Sequence, residues 1–153
     1  MDDWQRIDFA AIAPGYQRAA GYQVEGGLSR AWLGRARGHS KTQDLAGLIL
    51  WSLLFARMPI SAMLASTDRQ TAQLCRDAVA RFLAMNPWLR TEITTTREDF
   101  RCDRTGSKLE VVSSDAYTSY GRTSHIVACD ELSHWQRPEL WEALASTAAK
   151  KPQ

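Results

Sequence analysis

Two short apolar runs, ISAMLA at residues 60–65 and HIVACD at residues 125–130, constrain the fold more than any other feature of this chain. Each has the length and the apolar character of a strand that is buried on both faces of a sheet. The segments around them have apolar residues at helical spacing. Strands that alternate with helices predict an α/β fold of three layers with a largely parallel sheet.

Helices are predicted on either side of these runs. Residues 42–57 are dense in Leu, Ile, Trp and Phe and end before Pro59. Thr67 and Gln70 have the spacing of a capping box, so a second helix is expected to begin there and to stop before Pro87. Residues 138–149 predict a final helix.

Three further segments are predicted from shorter signals. Residues 28–33 are strand-like and lead into a loop rich in Gly and Arg. Residues 92–114 are rich in Thr, Val, Ile and Phe around a polar DRTGSK turn, which predicts short strands and a hairpin. Residues 119–123 are expected to form a loop.

Composition excludes several classes of protein. The chain has 153 residues, 44% hydrophobic and 24% charged, which is typical of one soluble globular domain. The net charge of +2 gives little support for nucleic-acid binding by general electrostatics. The start of the chain lacks the features of a secretory signal, and no apolar stretch reaches the roughly 20 residues that span a bilayer. The spacing of the three cysteines indicates plain reduced thiols, at Cys75, Cys102 and Cys129.

The sequence RARGHSKT, at residues 35–42, resembles a phosphate-binding loop. In the general pattern GxxxxGK[ST], backbone amides and a helix N-terminus hold phosphate oxygens, and the lysine contacts the β and γ phosphates. Alignment on Lys41 and Thr42 puts Arg35 at the first glycine and Ser40 at the second. Glycines remain nearby, at Gly34 and Gly38. The match to the general pattern is weak, and a basic surface turn would also fit these residues. The predicted position between a strand and a helix favours a phosphate loop.

The second motif is the acidic end of the strand in HIVACDE. A buried strand would deliver Asp130 and Glu131 to its carboxyl edge, where open α/β sheets bind ligands. Asp130 would then hold Mg²⁺, and Glu131 would orient or deprotonate the attacking water. A strand that ends in two solvated acids is the alternative. The two motifs together, in this order, predict an ATP site, with Arg37 before Arg35 as the arginine near the γ-phosphate.

Four segments resemble the ATPase domain of the large terminase subunit, the motor that packages DNA into the heads of tailed phages. They are ARGHSKT, ASTDRQTAQLCRDAV, SSDAYTSYGRTSH and IVACDE followed by LSHW. Together they span residues 28–135, which is most of the chain. This family is known for phosphate loops with an arginine before the glycine and a serine tolerated before the lysine.

The resemblance implies a role for each matching residue. Lys41 and Thr42 would contact phosphate and magnesium, Asp130 would be the magnesium acid and Glu131 the catalytic carboxylate. Arg37 would sense the γ-phosphate, and His39 would tune the loop. The expected ATP-binding set is completed by the remaining loop residues, Gly34, Arg35, Gly38 and Ser40.

The resemblance also implies a fold and partners. The fold would be a RecA-like (ASCE) P-loop NTPase at residues 28–153, preceded by an N-terminal arm at residues 1–27. Partners would be duplex DNA, the portal protein and the small terminase subunit, in a ring of identical subunits in the host-cell cytoplasm. These motors continue with a coupling motif and a nuclease domain, so we expect this chain to be the N-terminal part of one, with the sheet incomplete at the C-terminus.

Two other functions fit the same residues. A helicase-like DNA-dependent ATPase shares the fold, but His134 lies one place too late for a DExH pattern, and a second lobe would be needed. A truncated nucleotide-binding module without catalysis is the other alternative.

Several other residues give weaker signals. Ser133 and His134 lack a placed third member of a catalytic triad. Tyr16 with Gln17, or Tyr22 with Gln23, are weak candidates to frame the adenine. The six tryptophans are more typical of a core or an interface than of base stacking.

Overall fold

The computed structural model describes residues 1–97, 99–113, 123–135 and 138–149. The helices are α1 (Asp3–Ala19), α2 (Lys41–Phe55), α3 (Arg69–Met85), α4 (Pro87–Glu92) and α5 (Pro138–Ala149). The strands are β1 (Ser61–Ser66), β2 (Ile93–Thr95), β3 (Asp99–Cys102), β4 (Ser107–Ser113) and β5 (Ile126–Cys129). A short 3-10 helix, Leu132–His134, follows β5.

The five strands form one sheet in the order β2-β3-β4-β1-β5. β1 lies between β4 and β5 and pairs in parallel with both. β3 pairs antiparallel with both β2 and β4, and the predicted turn, which joins β3 to β4, contains Gly106 at a φ of +67°. The predicted fold class, α/β with a largely parallel sheet, is confirmed.

Helices cover both faces of the sheet, which gives the three predicted layers. Alternate residues of β1 point to opposite faces, as the pleat of a strand requires. Ala62 and Leu64 belong to the larger core, which α2 and α3 cover with residues such as Leu53 and Val79. The other face of β1 packs against α5 in a smaller core, formed by Met63, Ala65, Leu140 and Leu144.

The start of α3 differs from the prediction by one residue. The helix is capped by Asp68, not by Thr67, since the Asp68 carboxylate accepts a hydrogen bond of 2.7 Å from the backbone N–H of Thr71. This bond lowers the pKa of Asp68. α3 ends at Met85, before Pro87 as predicted, but Pro87 then begins α4, because proline is well suited to a first helical position.

The predicted strand at residues 28–33 is wrong. The segment is irregular, and the side chains of Leu28 and Trp32 are 54% and 69% exposed. A strand needs a neighbour for its backbone hydrogen bonds, and none of the five strands of the described sheet pairs with this segment. Apolar residues alone therefore do not make this segment a strand.

The predicted N-terminal arm contains a helix that the sequence reading missed. α1 runs beside α2 in the same direction. Its first turns meet the start of α2 through Gln5 and Asp44, and its end meets Arg57, whose N–H donates to the Ala20 carbonyl at 2.8 Å. The side chain of Gln5 accepts from the N–H of Asp2 at the start of α1. This pairing is a helix-start signal that could have been read from the sequence.

Within the ranges that the structure describes, no helix is both long and apolar enough to cross a bilayer. The cysteines in these ranges are free thiols, with Cys75 and Cys102 fully buried. Burial raises the pKa of Cys129 to about 12, so this thiol stays protonated near neutral pH.

Candidate functional site

The two predicted motifs meet at the carboxyl edge of the parallel strands. β5 ends at Cys129, and Asp130 follows with its backbone N–H bonded to the Ala65 carbonyl of β1 at 2.9 Å. α2 begins at Lys41, directly after the loop. This is the edge of an open α/β sheet at which ligands generally bind.

A side-chain hydrogen bond joins the motifs directly. The hydroxyl of Thr42 donates to Oδ2 of Asp130 at 2.6 Å, across 88 residues of sequence. Asp130 is only 3% exposed. The sequence predicted that these two residues act together, and the fold brings their oxygen atoms into contact.

The carboxylate of Asp130 is held by two further donors. Its Oδ1 accepts from the N–H of Glu131 at 3.1 Å, and its Oδ2 lies 3.8 Å from Sγ of Cys75 on α3. Burial, together with the negative charge of Asp130, raises the pKa of Cys75 to about 12, so the thiol is protonated and can donate. The backbone is fixed as well, since the indole N–H of Trp135 donates to the Asp130 carbonyl at 3.1 Å.

The predicted phosphate loop is an exposed turn whose backbone is left-handed at two residues. Gly38 has a φ of +83°, and Ser40, at the position of the usual second glycine, has a φ of +49°. Lys41 folds its Nζ back to 3.4 Å from the Arg35 carbonyl. The first turn of α2 follows, where N–H groups without helical partners give a local positive potential. Backbone N–H groups at a helix N-terminus are groups of the kind that bind phosphate in proteins.

Glu131 has an unusual backbone. Its φ of +52° and ψ of +36° lie in the left-handed region, which costs a non-glycine residue roughly 1–2 kcal/mol. Its side chain is exposed, with a carboxylate oxygen 4.0 Å from Nδ1 of His134. Strained backbone of this kind is frequent at functional positions.

The two arginines of the loop have different environments. Arg35 forms ion pairs with Asp8 of α1 and Asp44 of α2, and its side chain is only 5% exposed. Arg37 is exposed, and no hydrogen bond or ion pair of its side chain is seen within the described part of the chain. The predicted roles of these two residues in phosphate contact stay predictions.

Trp4 of α1 completes the surroundings of the loop. Its ring stacks on His39, with the centroids 5.3 Å apart and the planes at 28°, and the Arg35 guanidinium lies 4.6 Å from its centroid. The sequence reading missed Trp4, Asp8 and Asp44 as neighbours of the loop. The sequence held one indication for two of them: Trp4 and Asp8 are four residues apart, so they share one face of a helix.

The weaker candidates lie elsewhere. The hydroxyl of Tyr22 donates to the carbonyl of Phe55 at 2.8 Å, at the far end of α2. A helix of this length places that end roughly 20 Å from the loop, so Tyr22 is badly placed to frame the adenine. Tyr16 packs against the larger core, and burial raises its pKa to about 12. Residues 119–122 of the predicted loop, and much of the segment SSDAYTSYGRTSH, lie outside the described residues.

Comparisons with known proteins found one solved structure of similar fold and one matching family model. A search of curated proteins found no match. The chain is similar in fold to the structure titled "Crystal structure of the HK97 bacteriophage large terminase", with a TM-score of 0.85 and 18% sequence identity. The match covers 99% of this chain and 31% of that one, so the chain spans about a third of the length of that structure. The family model of the terminase large subunit ATPase domain matches residues 8–153. The chain therefore belongs to the family of terminase large subunit ATPase domains.

Proposed function

We propose that this chain binds and hydrolyses ATP with Mg²⁺, as the motor domain of a terminase large subunit that drives duplex DNA into a capsid. The observation that carries the proposal is the contact between Thr42 and Asp130, 2.6 Å apart, at the start of a helix and the end of a strand. This contact puts a hydroxyl and a carboxylate beside a loop suited to phosphate. The class of activity, ATP hydrolysis, is proposed from the family.

The oxygen atoms at this contact fit a magnesium ion. Mg²⁺ prefers oxygen ligands and is usually held by one or two protein groups together with waters and substrate phosphates. The Thr42 hydroxyl and the Asp130 carboxylate supply that number. Among the described residues, no cluster of three or more His, Cys, Asp or Glu side chains forms a separate metal site. The ion, when bound, would neutralise charge on the β and γ phosphates.

The protein groups would share the remaining work. Lys41 would leave the Arg35 carbonyl to contact the phosphates, and the N-terminus of α2 would hold their oxygens. Glu131 would orient and deprotonate the attacking water. Arg37 has no partner within the described ranges and would stabilise charge on the transferred phosphoryl group. Duplex DNA, the portal protein, the small subunit and a ring of copies follow from the family alone.

Phosphate release in the presence of ATP and Mg²⁺ tests the proposal. Release should fall at least about a hundredfold in Glu131→Gln, while ATP still raises the melting temperature. Lys41→Ala should lose both effects. Glu139→Gln, an exposed acid on α5, is the matched control and should behave as wild type.

Three outcomes would count against the proposal. Stabilisation by ATP without release, unchanged by Glu131→Gln, would identify a nucleotide-binding module without catalysis. Absence of both stabilisation and release would contradict nucleotide binding itself. Hydrolysis stimulated by single-stranded but not by duplex DNA would favour the helicase-like alternative.

A further inference from the structure

Arg35 uses both edges of its guanidinium within the protein. Its Nε and Nη2 lie 3.0 and 2.8 Å from Oδ2 of Asp8, and its Nη1 bonds to Asp44. Burial alone would lower the pKa of Arg35, but the hydrogen bonds and charges of Asp44 and Asp8 more than offset this and raise it. Nε donates a hydrogen bond to Asp8, whereas Nη2 takes part in the ion pair without forming a hydrogen bond. Only 5% of the Arg35 side chain is exposed, so little of its guanidinium is open to a phosphate.

The two carboxylates also need Arg35. Asp44 lies in the first turn of α2, and it accepts two further bonds of 3.0 Å from Nε2 of Gln5 on α1. Without the guanidinium, Asp8 and Asp44 would place two negative charges close to each other and near the start of α2. Such charges would repel an incoming triphosphate. Arg35 neutralises them and ties α1 to α2.

Trp4 connects the two ends of the loop. One contact is to Arg35, at the beginning of the loop, and the other is the stack on His39, near its end. Of these two neighbours, Arg35 is also held by its ion pairs, whereas His39 is exposed and the stack restricts it. A single rigid ring therefore limits how far the loop can open.

We propose that the first turns of α1 form a brace for the phosphate loop, in which Trp4, Gln5 and Asp8 act through Arg35, His39 and Asp44. Arg35 is then a positioning residue and does not contact the phosphates. The brace holds the loop in its binding conformation before nucleotide arrives, so that less ordering is needed on binding. The role in ATP binding rests on the proposed function, whereas the effect on the loop does not.

Hydrogen exchange of the loop amides, measured without nucleotide, tests the brace directly. Asp8→Asn and Trp4→Ala should each speed exchange at residues 36–40 by about tenfold, with exchange in β1 unchanged. Asp3→Asn is the matched control, because Asp3 is an exposed acid on the same helix. Trp4→Phe keeps an aromatic ring and should restore most of the protection. Unchanged loop exchange in both Asp8→Asn and Trp4→Ala would overturn the proposal.

The kinetics of ATP hydrolysis separate positioning from phosphate contact. Arg35→Ala and Asp8→Asn should each raise KM for ATP several-fold and leave kcat within about twofold of wild type. A large loss of kcat in Arg35→Ala, with Asp8→Asn unaffected, would show that Arg35 acts on the phosphates and would overturn the proposal. If the variants showed faster loop exchange but the wild-type protein neither bound nor hydrolysed ATP, the brace would be supported. The proposed function would then be contradicted.

Discussion

At the β2–β3–β4 end of the sheet, neighbouring strands are joined by short turns, and the pairing of these three strands connects residues close in sequence. At the β5 end, the main contacts connect distant segments: Thr42 reaches Asp130 across 88 residues, and Arg35 reaches Asp8 across 27. The first end buries apolar side chains such as Phe100, 1% exposed, whereas the loop at the second end is exposed. Local pairing and burial thus build the support, and long-range polar contacts build the site.

The largest expected effect lies at the hairpin end. Phe100→Ala should lower the free energy of unfolding by about 3–5 kcal/mol, because it leaves a cavity where a fully buried ring packs in the core. Denaturant unfolding measures this change. Arg37→Ala, at the exposed loop, is the counterpart and should leave stability within about 0.5 kcal/mol. Equal losses in the two variants would contradict the proposed division between support and site.

The next effect concerns chemistry at the β5 end. Thr42→Val removes the hydroxyl that joins the two motifs, and we expect phosphate release to fall about a hundredfold. Thr42→Ser keeps the oxygen and should retain most of the activity. If Thr42→Val and Thr42→Ser were equally active, the contact with Asp130 would have no role in hydrolysis.

A smaller effect at the hairpin end is the pH dependence of the free energy of unfolding. Hydrogen bonds from Arg101 and then Thr96 lower the pKa of Asp99 below its ordinary 3.8. Folding therefore stabilises the charged form of Asp99. This contribution to the free energy of unfolding is complete above pH 3.8 and is lost as the pH falls through the lowered pKa. Asp99→Asn should cost about 1 kcal/mol at pH 7.

Unfolding of wild type and Asp99→Asn at several pH values checks this. The difference between them should be constant near neutrality and shrink at acid pH. A difference that grows as the pH falls would show that the assigned sign is wrong.

The smallest expected effect compares one residue at each end. Ser40→Gly relieves a left-handed backbone that costs about 1–2 kcal/mol, and the greater freedom of glycine in the unfolded chain offsets about 0.4–1 kcal/mol of this gain. The melting temperature should rise by about 1–4 °C. Gly106→Ala makes the opposite change in the hairpin turn, where the new Cβ has room but the φ of +67° is unfavourable. It should lower the melting temperature, and a shift of the same sign in both variants would refute the backbone argument.

Much of the fold was predictable because its signals are local. The apolar runs of β1 and β5, the helical spacing in α3 and the polar turn before β4 each depend on residues within a few positions of one another. The irregular structure of residues 28–33 was not predictable, since it depends on the absence of a pairing partner among the described strands. The cap of α3 was missed by one residue, because Thr67 and Asp68 are both good capping residues and only the backbone geometry selects between them.

The sequence by itself determined the α/β class and the order of the two motifs along the chain. Only the tertiary structure decided that Thr42 lies on Asp130, that Cys75 lies behind that carboxylate, and that Arg35 is engaged by Asp8 and Asp44. The physical reason is distance along the chain. Propensity and periodicity act over a few residues, whereas these contacts form only after the sheet and α1 have folded into place.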